Sequence, residues 1–305
     1  MSRTKSSMTA VAILLVAGSA PVLADQPSFA DPQAALAALE TALKAKDGDA
    51  LVDLLGPENR EDLIGGDPAQ ARQWLDELNL LVNEGAKLEP NEDSSMTVVL
   101  GRRDWPMPVP LVKEAQGWRY DTEAGLEEID DRRVGSNELT AIGLLRAYVD
   151  AQLEYAEEDH DGDKVLEYAQ KIVSTAGQQD GLYWEAEGDA ELSPLGPLVA
   201  EADAYTKDYH QRGEPYHGYY FKILTKQGAN PPGGAYDYVI NGNMIAGFAM
   251  VAWPAAYGHS GVMTLAVNHQ GTVYEKDLGD DTEKLAPEIT AYDSDQTWTE
   301  VSDEN

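Results

Sequence analysis

The sequence predicts an α+β fold in two parts. A small helix–sheet domain is expected over residues 29–133, and a long helix on an antiparallel sheet over 134–292. Three observations predict it. Apolar residues recur at helical spacing from Leu36 to Val82. The period drops to two between Met96 and Asp121. The same order, helix and then strand-like runs, repeats from Leu139 to Lys276.

In the first domain, Asp31-Pro32 supplies a cap and a first-turn proline, and Leu36, Leu39, Ala42 and Leu43 mark the buried stripe of a helix that ends near Asp47-Gly48. Leu51, Leu54 and Leu55 mark a second helix, stopped by Gly56-Pro57. Trp74, Leu75, Leu78, Leu81 and Val82 mark a third, stopped by Gly85. Met96 to Leu100 predicts a strand. Val109 to Lys113 and Gly117 to Asp121 predict a hairpin around Ala115-Gln116-Gly117.

In the second domain, Ser136 or Asn137 can cap a helix whose apolar face is Leu139, Ile142, Leu145, Val149 and Leu153, ending near Tyr155. A short helix is expected from Val165 to Ile172. Ser174 to Pro215 is polar and rich in Gly and Pro. Five strands follow: His217 to Thr225, Ala235 to Ile240, Met244 to Trp253, Val262 to Val267 and Thr272 to Lys276. Asn241-Gly242-Asn243 and Asn268-His269-Gln270-Gly271 have turn composition. The stretch 293–305 reads as a frayed acidic tail. No solenoid-type repeat is visible.

Composition narrows the function. The 305 residues carry 54 acidic against 22 basic side chains, a net charge of −32. That balance argues against nucleic acid and against an anionic membrane surface, both of which demand clustered Lys and Arg. With 0 cysteines there is no disulfide, no cysteine-ligated metal, no cysteine nucleophile and no lipidated cysteine. Residues 1–24 read as a cleavable signal peptide: Arg3 and Lys5 form the basic start, Met8 to Val22 is largely apolar, and Val22-Leu23-Ala24 offers the small residues of a cleavage site. The apolar run is short and broken by Gly18, Ser19 and Pro21, so no transmembrane anchor is expected after cleavage. The expected location is the periplasm. Losing Arg3 and Lys5 takes the charge from −32 to −34. Most of that acidity reads as a solvation device.

The strongest chemical motif is Asp159-His160-Asp161-Gly162-Asp163. Alternating carboxylates around a glycine turn can wrap oxygens around a hard cation such as Ca²⁺. Asp159, Asp161, Asp163 and Glu167 are the candidate ligands. Tyr168 stands where an EF-hand places its closing acid, so the motif is closer to a short DxDGD loop. The plainer alternative is a solvated acidic turn. No catalytic or cofactor-binding residue set is assigned. The five histidines show no paired metal spacing. Gly258-His259-Ser260-Gly261 lacks the last glycine of a nucleophile elbow and reads as a turn. Pro231-Pro232-Gly233-Gly234 reads as a loop before a strand, and the tyrosine-rich strands as core packing.

Two resemblances carry further expectations. Gly101-Arg102-Arg103-Asp104-Trp105-Pro106-Met107-Pro108-Val109-Pro110-Leu111-Val112-Lys113, Gly117-Trp118-Arg119-Tyr120-Asp121-Thr122, Glu158-Asp159-His160-Asp161-Gly162-Asp163, Asp180-Gly181-Leu182-Tyr183-Trp184, Tyr216-His217-Gly218-Tyr219-Tyr220-Phe221 and Gly233-Gly234-Ala235-Tyr236-Asp237-Tyr238 resemble a family of bacterial exported proteins, the domain-of-unknown-function 2950 family. That resemblance implies export and no particular activity. Asn137-Glu138-Leu139-Thr140-Ala141-Ile142, with Ser260-Gly261-Val262-Met263 and Asn268-His269-Gln270-Gly271-Thr272-Val273-Tyr274, is similar to the head domains of type IV pilin-like proteins. This implies a fold rather than filament assembly, because pilins assemble through a processed apolar helix that a cleavable signal replaces here. The helix-then-sheet order of the first domain, closed by Gly117-Trp118-Arg119-Tyr120, resembles small domains of the nuclear-transport-factor-2 or cystatin type. The expected function is a non-catalytic binding or envelope-associated role with an unknown envelope partner or ligand, stabilised by Ca²⁺. The alternative is a periplasmic enzyme with a carboxylate, histidine and tyrosine site around His217, Asp237 or Asp180.

Overall fold

The computed structural model describes residues 26–65, 68–185, 193–196 and 215–302. Residues 1–24, expected to be a signal peptide, and most of the 174–215 stretch lie outside the described residues. The fold is mixed α+β.

The first half opens with helices α1 (Pro32–Ala45), α2 (Gly48–Leu55), α3 (Arg60–Ile64) and α4 (Pro68–Glu84). Asp31 caps α1 by accepting from the Ala34 amide at 2.8 Å, and Asp47 caps α2 through Ala50 at 3.0 Å. Strands β1 (Ala86–Pro90), β2 (Met96–Leu100), β3 (Trp105–Pro106), β4 (Leu111–Glu114) and β5 (Gly117–Tyr120) form one antiparallel sheet in the order β1-β2-β4-β5, with β3 against β2. Strand β1 was not legible in advance. It is an edge strand carrying Lys87, Glu89 and Pro90, the residues that keep an open edge from pairing further. Strand β4 begins at Leu111 and not Val109, because Pro108 and Pro110 flank Val109 and have no amide to donate. Leu39, Leu43, Leu55, Val98, Leu100 and Leu111 form the core. The buried Tyr120 hydroxyl donates to the Ala35 carbonyl at 3.1 Å, tying sheet to helix.

Helix α5 (Thr122–Tyr155) is the main departure from expectation. It starts at Thr122, well before the Ser136 or Asn137 cap that the sequence suggests. Its first turn is held by tertiary contacts instead. Thr122 Oγ1 donates to the Leu55 carbonyl, and Gly125 lies so close to the backbone of the first half that an added Cβ would sit 2.8 Å from the Pro108 carbonyl oxygen. The boundary at 133/134 therefore falls inside one continuous helix. Around it the two halves are laced together. Arg133, 5 % exposed, pairs with Asp130 at 2.6 Å, donates to the Asp62 carbonyl at 2.5 Å and stacks on Trp74. Buried Asn137 accepts from Gln70 and donates to the Ser260 carbonyl at 2.8 Å.

The second half contains β6 (Tyr219–Leu224), β7 (Lys226–Gln227), β8 (Tyr236–Asp237), β9 (Val239–Ile240), β10 (Asn243–Met244), β11 (Ala249–Pro254), β12 (Met263–Asn268), β13 (Val273–Asp277) and β14 (Thr299–Glu300). The main sheet runs β14-β13-β12-β11-β6, and α5 lies against β11, β12 and β13. Its core includes Leu145, Tyr148, Phe248, Val251, Leu265 and Val267. Tyr148 meets Phe248 edge to face at 5.5 Å.

Three boundaries move for physical reasons. His217 and Gly218 have φ of 46° and 71° and form the two-residue turn of a Tyr216–Tyr219 hairpin, so β6 starts at Tyr219. The run expected from Met244 to Trp253 splits, because the amides of Ile245 and Ala246 both turn to the Tyr238 carbonyl at 3.1 Å. The tail is not frayed over its described part: β14 pairs with β13, the Val301 amide donates to the Val273 carbonyl at 3.0 Å, and Trp298 packs on the core. Residues 303–305 lie outside the described residues.

The helix expected over Val165 to Ile172 is absent; that segment is irregular. Its hydrogen bonds go sideways. The Gln152 side chain accepts from the Ala169 amide and donates to the Ala169 carbonyl, both at 2.8 Å, and the Tyr168 amide donates to the Met244 carbonyl at 2.8 Å. These groups are thereby lost to any i→i−4 ladder.

Candidate metal centre

The candidate site follows the last turn of α5. Asp159 folds the loop around itself: one carboxylate oxygen accepts from the Gly162 amide at 2.7 Å, the other from Lys164 at 2.9 Å. Asp161 accepts from the Asp163 amide at 3.0 Å, and Asp163 from Val165 at 2.7 Å. This is a run of aspartate turns, which Asp favours because its short side chain reaches its own downstream backbone. Gly162 takes φ of 82°, the left-handed conformation that glycine adopts freely. The amides of Gly162 and Lys164 hold the Asp159 carboxyl below the ordinary aspartate range.

Asp159, Asp161 and Asp163 each offer one oxygen, all within 4.8 Å of one another and all exposed. Oxygens bound to one Ca²⁺ lie no further apart than twice the metal–oxygen distance, roughly 5 Å. The trio fits that limit. The amide bonds use one lone pair of each oxygen and leave a second for an ion. Glu167, the fourth expected ligand, lies outside the trio. Its carboxylate accepts from the Met244 amide at 2.9 Å and holds the 163–170 segment against β10. Asn243, which sequence reasoning passed over, donates to Asp163 at 2.6 Å.

His160 turns away from the carboxylates. Its ring stacks on Tyr155 at 4.0 Å and tilts toward Trp184 at 5.7 Å. Its Nε2 lies 3.0 Å from the Tyr155 carbonyl. A carbonyl only accepts, so Nε2 carries the proton and His160 closes the end of α5. The Tyr155 hydroxyl is pushed up to about 12, by burial first and then by the charges of Glu167, Asp180 and Asp161.

The other candidates have local partners of their own. Burial works to raise the Asp180 carboxyl, yet Lys171 and Thr175 together hold it low, and those bonds close a local loop. Asp237 is on β8 opposite Lys226, and His217 is in the β6 turn. His259 Nδ1 lies 3.0 Å from Asp130, while the Ser260 hydroxyl accepts from the Ala256 amide at 2.9 Å. The Gly258–Gly261 stretch is therefore a turn. Gln227 donates to the carbonyls of Pro232 and Gly234 at 2.9 and 3.0 Å, holding the Pro231–Gly234 loop ahead of β8. One further carboxylate pair was not anticipated. Glu138 accepts from the Val262 and Met263 amides at 2.9 and 3.0 Å, and burial with the Glu138 charge raises the Glu275 carboxyl.

Among the described residues no helix is long and apolar enough to cross a membrane. Fold and loop together define an α+β protein with an exposed three-carboxylate turn at the end of its longest helix. The chain belongs to the family described as protein of unknown function (DUF2950), whose model matches residues 26–301. No curated protein and no solved structure matches it.

Proposed function

We propose that the chain is an exported protein with a binding role at the cell envelope, steadied by Ca²⁺ in the 159–163 loop. The observation that carries this reading is the Asp159, Asp161 and Asp163 trio, with oxygens within 4.8 Å on an exposed turn. Export rests on the signal-like residues 1–24. Gln26, two residues beyond the expected cleavage point, donates to the Leu54 and Tyr120 carbonyls at 3.1 and 2.8 Å and is part of the folded domain. The long helix on an antiparallel sheet supports the pilin-head likeness of 134–292 as part of the same reading.

Calorimetric titration with millimolar Ca²⁺ tests the ion. Heat and a rise in Tm are expected, about 2.7 kcal/mol of stabilisation at a hundredfold excess over Kd. Asp161→Asn is expected to remove both. Absence of heat and of a Tm shift in the wild-type protein overturns the ion reading.

The loop also predicts a pH dependence. The Asp159 carboxyl is lowered in the folded state, so its contribution is present above the ordinary aspartate pKa and is lost as pH falls through the lowered value. The Tm gap between wild type and Asp159→Asn is expected to be open at neutral pH and to close in strong acid. Melting curves across that range check it, and a gap that widens on acidification contradicts it.

A further inference from the structure

Beside the acidic loop lies an apolar surface that neither the fold nor the ion explains. The β9–β10 hairpin pairs Ile240 with Asn243 across its Asn241-Gly242 turn. Residues opposite each other on two strands share a face, and residues two apart along a strand share it too. Ile240 and Asn243 are therefore on one face, and Ile245 follows directly on β10. Asn243 reaches Asp163 from that face, which places Ile240 alongside the carboxylates. Leu166 belongs to the segment laced to the same hairpin through Glu167 to Met244 and Gln170 to the Gly242 carbonyl at 2.7 Å. Leu166, Ile240 and Ile245 are 56, 46 and 44 % exposed, high for three large aliphatic side chains on segments bonded to each other. The acids around them are exposed as well: Glu157, Glu158, Asp159, Asp161 and Asp163, with Lys164 the neighbouring cation.

We propose that this face docks a basic amphipathic segment of a partner protein, its Lys or Arg side chains on the acidic loop and its apolar side chains on Leu166, Ile240 and Ile245. Charge selects the occupant. A second copy of a chain with net charge −32 brings like charge to like charge, and an anionic membrane is repelled in the same way. A cationic segment gains on both terms, by steering and by burial of the isoleucines. A Ca²⁺ in the loop removes two negative charges and leaves the flanking acids. The inference deepens the binding reading and names the chemistry of the partner.

The probe is a fluorescein-labelled peptide of Lys and Leu with helical amphipathic spacing, measured by fluorescence anisotropy against the full protein at physiological salt. A Lys–Ser peptide of equal charge is the control. The wild-type protein is expected to prefer the Lys–Leu peptide, and Ile240→Ser with Ile245→Ser to weaken it about tenfold while leaving the Lys–Ser peptide unchanged. Far-ultraviolet circular dichroism confirms that the variant is folded. Equal binding of the Lys–Leu peptide by wild type and variant overturns the proposal. So does cosedimentation with phosphatidylcholine vesicles that the variant loses, which assigns the face to lipid, or self-association that the variant abolishes, which assigns it to a second copy. A calcium signal without peptide preference removes this inference and leaves the ion reading standing; peptide preference without a calcium signal does the reverse.

Discussion

Replacing Gln152 by Leu is expected to cost about 2–5 kcal/mol, because it strips the partners from both backbone groups of a buried residue. Gln152 is fully buried. Its amide acts as a short strand: it accepts from the Ala169 amide, donates to the Ala169 carbonyl and donates to the Tyr148 hydroxyl at 3.0 Å. Leucine preserves most of the volume and leaves the Ala169 N–H and C=O facing a core that contains Phe248 and Met244. Each orphaned group costs about 1–3 kcal/mol. Tyr148 keeps its bond to the Ala249 carbonyl at 3.2 Å, so the loss concentrates at Ala169. Urea unfolding checks it: the midpoint is expected to fall with the slope unchanged. A loss under about 1 kcal/mol shows that water or a rearranged segment replaces the amide. Because segment 163–170 holds the candidate loop against β10, the variant is also expected to lose any Ca²⁺ response.

Alanine substitutions in α5 are expected to change stability with opposite signs along one helix. A helix-interior glycine is worth roughly 1 kcal/mol less than alanine. Gly135 and Gly143 have nothing within 4 Å of an added Cβ, so Gly135→Ala and Gly143→Ala are each expected to stabilise by about that amount. At Gly125 the added carbon meets the Pro108 carbonyl oxygen at 2.8 Å and the Val109 Cα at 3.1 Å. Those are backbone atoms and cannot swing aside. Gly125→Ala is expected to destabilise by about 1–3 kcal/mol despite the better propensity. Equilibrium unfolding of the three variants checks the pattern, and a stabilising Gly125→Ala contradicts the close approach.

These two cases mark where contacts from another element override local pattern. Helices α1, α2 and α4, β2, the β4–β5 hairpin and most strands of the main sheet follow from apolar period, caps and turn residues, all encoded within a few positions, whereas α3 had no such signal. The first turns of α5 do not, because their stability comes from Thr122, Gly125 and Arg133 reaching the other half. The helix expected over 165–172 fails for the matching reason, since Gln152 competes for its backbone from another element. At the candidate site, Asp159, Asp161 and Asp163 were legible because the loop is local. Glu167 stands outside the trio, and its bond to the Met244 amide could not be read locally because Met244 is remote in sequence. Asn243 and the inward stacking of His160 carried no local signal.

The single helix running through both halves also limits how this chain can change in length. Contacts on its first turns hold the Leu55 and Asp62 carbonyls, and contacts beyond Gly135 hold Ser260 and the Val262 amide. Inserting one residue at Gly135 rotates everything downstream by about 100° and advances it by about 1.5 Å, so only one set of these bonds survives. An insertion of seven residues returns nearly to phase, about 20° off, though it moves the halves roughly 10 Å apart. The length of α5 is therefore fixed by the contacts at its two ends, and the helix acts as a gauge in this protein.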